Sequence, residues 1–150
     1  MSIARAPVQL SIMFAVAILA TSCGLGNMKS QPTAAEAGST LKTHILKLLD
    51  KVSSEPAQIT DPGGREIPCG DGKVMRTFAA TAADNSRQRS PHTLNARMLG
   101  ALSGFADYHL IDPGKLEYNL ASETTRTSLY LKSSKHKYSV SGQTGCLSRS

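Results

Sequence analysis

The sequence predicts an α+β sandwich: an antiparallel sheet of about four strands with two helices packed on one face. Three observations predict it. An apolar stripe at helical spacing runs from Leu41 to Val52. A second helical stripe follows a Ser-Pro start at Ser90-Pro91. The last third of the chain alternates apolar and polar residues in short runs broken by turns.

The first helix is the clearest element. Leu41, Ile45, Leu48, Leu49 and Val52 follow the i, i+4, i+7, i+8, i+11 pattern of one helix face, with Lys42, Lys47 and Lys51 off the stripe. Ser39 or Thr40 can cap its start. Glu55-Pro56 closes it, because a residue before proline avoids helical backbone. The stretch TDPGGREIPCGDG that follows reads as irregular loop. Lys73 to Thr81 reads as a strand, and residues 82–90, AADNSRQRS, as a polar connection. The second helix starts with Ser90 as N-cap and Pro91 at the first helical position. Leu94, Met98, Leu102 and Phe105 form its stripe, with Ala101 filling in. Three strands follow: Leu116 to Ser122; Thr127 to Lys132, with Leu129 and Leu131 on one face; and Lys137 to Ser141, with Tyr138 and Val140 on one face. The meander ends at Gly142-Gln-Thr-Gly-Cys146. Residues 40–150 form one domain.

With no Trp, three Phe and four Tyr, the core must rely on aliphatic residues, and a small core of that kind gains from a covalent staple. The net charge of +6 is a mild excess that permits contact with an anionic surface.

Arg5 is the only charge before Lys29, and Val8 to Ala20 is almost wholly apolar. A run of about 13 such residues suits a signal peptide and is short for a membrane span of about 20. Thr21, Ser22, Cys23 and Gly24 follow at once. This stretch resembles the lipobox of bacterial lipoprotein signal peptides, with Ala20 where leucine is usual. The resemblance implies cleavage before Cys23, with residues 1–22 removed as leader, and attachment of a diacylglycerol to the Cys23 thiol. Two acyl chains anchor firmly where one does not. Residues 24–39, GLGNMKSQPTAAEAGS, read as a flexible tether, and with Cys23 they form the segment 23–39. Within it, TAAEA has helical character but nothing to anchor it.

An exported chain with three cysteines leaves one unpaired. Acylation accounts for Cys23 and frees Cys69 and Cys146 to pair. Their bond would close a loop of about 78 residues, worth roughly 4.5 kcal/mol by loop entropy. A metal pair or a redox couple are the other readings. Nearby ligands and a CxxC spacing, which those readings need, are missing from the sequence.

The helix–strand–helix–three-strand order, with Cys69 after the first helix and Cys146 closing SGQTGC, resembles the small cell-envelope lipoproteins of actinobacteria, including the mycobacterial LppA type. The resemblance implies an anchored extracytoplasmic domain on the outer face of the cell membrane. It supplies no catalytic residues.

Direct signs of chemistry are few. CGDGK, Cys69 to Lys73, lacks the Ser or Thr and the following helix of a phosphate loop, so it reads as a tight turn. His44, His92, His109 and His136 show no metal-ligand spacing. Asp107 and Asp112 could pair as carboxylates, but Asp112-Pro113-Gly114 is a turn signature. No metal, cofactor or nucleic-acid partner is expected. Residues 126–149 carry Arg126, Lys132, Lys135, Lys137 and Arg149 and no acid. Lys132, Lys135 and Lys137 gather around the final hairpin and are candidates for contact with an anionic surface. Solvation of the hairpin and protection of an edge strand by lysine is the plainer reading. The expectation is a non-enzymatic lipoprotein that binds an envelope protein or a lipid. Its rivals are an envelope enzyme with a site assembled from distant residues, and an accessory subunit.

Overall fold

The computed structural model describes residues 30–86, 88–115 and 117–149. The leader, Cys23 and residues 24–29 of the tether lie outside the described residues. Helix α1 spans Ala34–Val52 and helix α2 spans Pro91–Ser103. The strands are β1 (Gln58–Asp61), β2 (Ile67–Gly70), β3 (Lys73–Met75), β4 (Thr77–Ala83), β5 (His109–Leu110), β6 (Tyr118–Ser122), β7 (Thr127–Leu131) and β8 (Lys137–Thr144). Six of them form one antiparallel sheet in the order β1-β4-β8-β7-β6-β5, and β2 with β3 forms a separate ribbon. The expected α+β class holds, but the main sheet has six strands rather than about four.

Alternation decides which face of the sheet is covered. Phe78, Ala80 and Ala82 of β4, Tyr138 and Val140 of β8, and Leu129 and Leu131 of β7 are all buried. They meet Leu41, Ile45, Leu48 and Leu49 of α1 and Leu94, Met98 and Leu102 of α2 in one core. The intervening residues, among them Thr81, Ser139 and Ser128, point the other way and are more exposed. Period 2 in the strands therefore meets period 3.6 in the helices across a single interface.

Three expectations are corrected. First, α1 begins at Ala34, so residues 34–39, expected in the tether, are helix. Thr33 caps it through a reciprocal box with Glu36: the Glu36 backbone N–H donates to Thr33 Oγ1 at 3.2 Å, and the Thr33 N–H donates to Glu36 Oε2 at 2.8 Å. Ala34 and Ala37 are buried in a second small cluster with Val74 and Leu147, and the Ala34 N–H donates to Ser148 O. The anchor that the sequence lacked for this turn comes from the far end of the chain.

Second, the stretch read as loop after α1 holds β1 and β2. Both are edge elements: β1 has one neighbour, β4, and β2 pairs only with β3. Third, the last strand does not end at Ser141. It runs through Gly142 to Thr144. A Cβ at Gly142 would lie 2.6 Å from Leu41 Cδ1 and 2.6 Å from Ser128 O. Glycine is required there because α1 presses directly on the sheet.

The bond between Cys69 and Cys146 is formed, with Cα atoms 6.0 Å apart. It joins the β2–β3 ribbon to the chain just past β8. The Val74–Leu147 bridge lies beside it, with N–H···O bonds of 2.9 and 3.0 Å in both directions.

Candidate functional site

The most elaborate polar arrangement stands at the other end of α1. Strand β4 buries every second residue, and the rhythm continues one step past its end: after Phe78, Ala80 and Ala82, Asp84 also points inward and is 6% exposed. A carboxylate there needs partners. Arg89 Nη1 donates to Asp84 Oδ1 at 2.6 Å. Asp84 Oδ2 is enclosed and has no hydrogen-bond partner among the described residues. Tyr138, inward-facing on β8, is fully buried, and its hydroxyl accepts from Arg97 Nε at 3.1 Å and from Arg89 Nη1 at 3.4 Å. Two guanidinium groups, one from the loop before α2 and one from α2 itself, therefore converge on one buried hydroxyl.

The surroundings fix this geometry. Ser53 ends α1 and donates from its hydroxyl to Ala83 O at 2.8 Å. The Asn85 amide donates to Ser54 Oγ and to Glu55 Oε1. The Asp84 N–H donates to His136 O at 2.8 Å, which ties the strand end to the β7–β8 turn. Buried Asn95 of α2 accepts from the Ser133 N–H at 2.9 Å and holds the same turn from the helix side. A cleft of about 260 Å³ opens among Ser53, Ser54, Ser86, Arg89 and Arg97. A second cavity, bounded by Lys135 and His136, lies beside it, and Asp84 and Asn85 line both.

The three hairpin lysines do not act alike. Lys132 is paired with Glu117 at 2.9 Å. Lys135 borders the cavity next to Asp84. Lys137 opens β8 on the uncovered face, opposite Ala83. The acid-free run is also not acid-free in space. Arg126 meets Glu123 at 3.6 Å and Arg149 meets Glu66 at 3.4 Å, both acids lying outside the run.

The histidines and aspartates singled out in the sequence do not come together. His44 is half-buried between α1 and the chain after α2, edge-on to Phe105 and Tyr108. Its Nδ1 lies 3.2 Å from the Tyr108 hydroxyl, which is 2.6 Å from Thr127 Oγ1. Burial, then the neighbouring Lys47, lowers the His44 pKa. Burial raises that of Tyr108, against the opposing hydrogen bonds of Thr127 and Thr125. His92 stands edge-on to Tyr118, and His109 sits in β5. Asp107 accepts from Thr124, and Asp112 pairs with Lys115. Gly70, Asp71 and Gly72 all have positive φ, so CGDGK is a tight turn. Among the described residues no group of three or more His, Cys, Asp or Glu could hold a metal ion. No helix among them is long and apolar enough to cross a membrane. The large apolar side chains exposed among them, Ile59 and Ile111, stand at opposite edges of the sheet.

Asp84, Arg89 and Arg97 are not marked out by the sequence, because Asp84 and Arg89 sit in a polar connection and Arg97 lies off the apolar stripe of α2. The signal that points to Asp84 is its phase: it occupies the next inward position of an alternating strand. No known protein family, curated protein or solved structure matches the chain.

Proposed function

We propose that this chain is a lipid-anchored, non-catalytic interaction module of the cell envelope. It holds an anionic partner at the end of its domain farthest from the anchor. The observation that carries this reading is the placement of the basic groups along α1. The helix has 19 residues and is about 28 Å long. Thr33, where the tether would enter, caps one end, and the cleft of Arg89 and Arg97 borders the other at Ser53. Only ten positions separate Cys23 from Thr33 in the sequence, so the start of α1 is the end of the domain next to the anchor. On average the basic end then faces away from the headgroups, toward the wall space, so a wall-side anion is favoured over a lipid surface as partner.

The intact mass of the protein extracted from membranes tests the anchor. The expected mass corresponds to a chain starting at Cys23, carrying a diacylglyceryl group, with two hydrogens fewer for the disulfide. An unprocessed leader with free thiols would overturn it. Amide hydrogen exchange of the full chain in anionic vesicles tests the orientation. Residues 133–136 should exchange as fast as in neutral detergent, and protection of that turn by the vesicles would reverse the proposed direction.

A further inference from the structure

We infer that the cleft bounded by Arg89 and Arg97 is a binding site for the phosphate group of a phosphorylated sugar or polyol. This rests on reading the far end of α1 as the end that holds the partner, and it adds the ligand chemistry.

Three features of the cleft lead there. The first is pre-organisation of two guanidinium groups. Arg89 is fixed by Asp84 at 2.6 Å, and Arg97 is fixed by the buried Tyr138 hydroxyl at 3.1 Å. Each uses only part of its donor fork in doing so. The remaining N–H groups have no hydrogen-bond partner among the described residues, and both arginines line the cleft. Paired, planar donors held in place match the tetrahedral oxyanion of phosphate better than a single ammonium does. The second is the hydroxyl lining. Ser54 and Ser86 border the same cleft, beside Asp84, so hydroxyl partners are available to the carrier of the phosphate. The third is size. A cleft of about 260 Å³ suits a small phosphorylated headpiece and lies just below the usual range for drug-sized ligands.

Asp84 has a defined place in this arrangement. It is a positioning residue: its carboxylate locks Arg89 in the cleft wall and touches no ligand itself. Its second oxygen, enclosed and unpaired, leaves the carboxylate only half satisfied. The Arg89–Asp84 contact is a single short bond, so part of the Arg89 fork stays free for an anion. Lys135, across the shared wall at Asp84 and Asn85, adds positive potential without reaching the cleft lining.

The phosphate could be presented by a soluble polyol phosphate or by a phospholipid headgroup, and two arms of one experiment separate these sources. The full chain in non-ionic detergent is titrated with glycerol 1-phosphate and, separately, with phosphatidylglycerol vesicles. Binding is read by calorimetry and by NMR shifts of the arginine Nε–H and of the Ser54 and Asn85 amides. Saturable binding of glycerol 1-phosphate with shifts confined to these groups is expected. Arg97→Gln should weaken it by about tenfold or more, while lowering the melting temperature no further than Tyr138→Phe does, since both remove the same hydrogen bond. Arg97→Lys should restore it only in part, since an ammonium lacks the fork. Arg89→Gln also strands Asp84 and can unfold the loop, so Arg97 is the deciding position. Absence of saturation with both ligands, unchanged affinity in Arg97→Gln, or shifts confined to other faces would each overturn the site. Binding to the vesicles alone, lost in Arg97→Gln, would keep the site but overturn the outward orientation proposed above.

Discussion

The two ends of α1 are built on opposite plans. At its start, Ala34, Ala37, Val74 and Leu147 make a dry apolar cluster, closed by a backbone bridge and a disulfide. At its end, Asp84, Arg89, Arg97 and Tyr138 make a polar cluster beside a cleft, and one carboxylate oxygen has no partner among the described residues. Every buried group in the first cluster lowers the energy of the fold. The second holds a buried charge and charged donors that a stability argument alone would not place there. A chain that spends stability at one end and secures it at the other separates holding the fold from meeting a partner.

Removing the staple breaks this contrast most strongly. Cys69→Ser with Cys146→Ser should cost about 2–5 kcal/mol. Hydrogen exchange should show the first two turns of α1 and the β2–β3 ribbon opening before the sheet does. Uniform loss of protection across α1 would mean that the disulfide supports the whole domain rather than its near end.

A matched pair of substitutions sharpens the contrast. Leu147→Ala at the near end should cost about 2–3 kcal/mol, since Leu147 is 3% exposed and its partners cannot close the gap. Tyr138→Phe at the far end keeps the ring and removes only the hydroxyl that both arginines reach. It should cost about 1 kcal/mol. It should also loosen Arg97, which NMR would report as a more mobile Nε–H. Equal losses from the two changes would contradict the division between the ends.

This division also explains which parts of the fold could be read in the sequence. The stripe from Leu41 to Val52 was legible because its spacing is local and its residues are large. The start of the same helix was not. Ala34 and Ala37 are weakly apolar, they stand beside Gly38 and Ser39, and what buries them comes from Val74 and Leu147, far along the chain. β1 escaped because Gln58, Ile59 and Thr60 are all exposed, so no alternation marks it. Gly142 reads as a turn residue in isolation; only the approach of Leu41 makes it a strand residue. At the far end, Lys135 was legible as part of a basic run and does border a cavity there. Arg89 and Arg97 were not legible, because a polar residue carries no mark of whether it faces solvent or a buried hydroxyl. Asp84 carried a faint mark in its strand phase, which its polar neighbours masked.

The smallest expected effect tests whether a third polar cluster, midway along α1, belongs to either plan. His44 joins α1 to Tyr108, and through Tyr108 to Thr127 on β7. Its pKa is lowered, first by burial and then by Lys47. A histidine whose folded pKa lies below its unfolded value of about 6.5 binds its proton more readily in the unfolded chain. Stability should therefore be undiminished above that value. It should fall as the pH drops from about 6.5 toward the folded pKa. Asp61 works at lower pH: its hydrogen bonds from Thr77 and Gly63 lower its pKa, so its stabilisation is lost only as the pH falls below its ordinary value of 3.8. Between these windows His44 is the group to follow. The melting temperature should decline modestly between about pH 7 and pH 5. His44→Gln, which cannot gain the proton, should flatten that decline. If the decline persists unchanged in His44→Gln, the His44–Tyr108–Thr127 chain is proton-indifferent packing and belongs with the dry end. If it flattens, the middle of α1 carries a pH-dependent contact that neither end has.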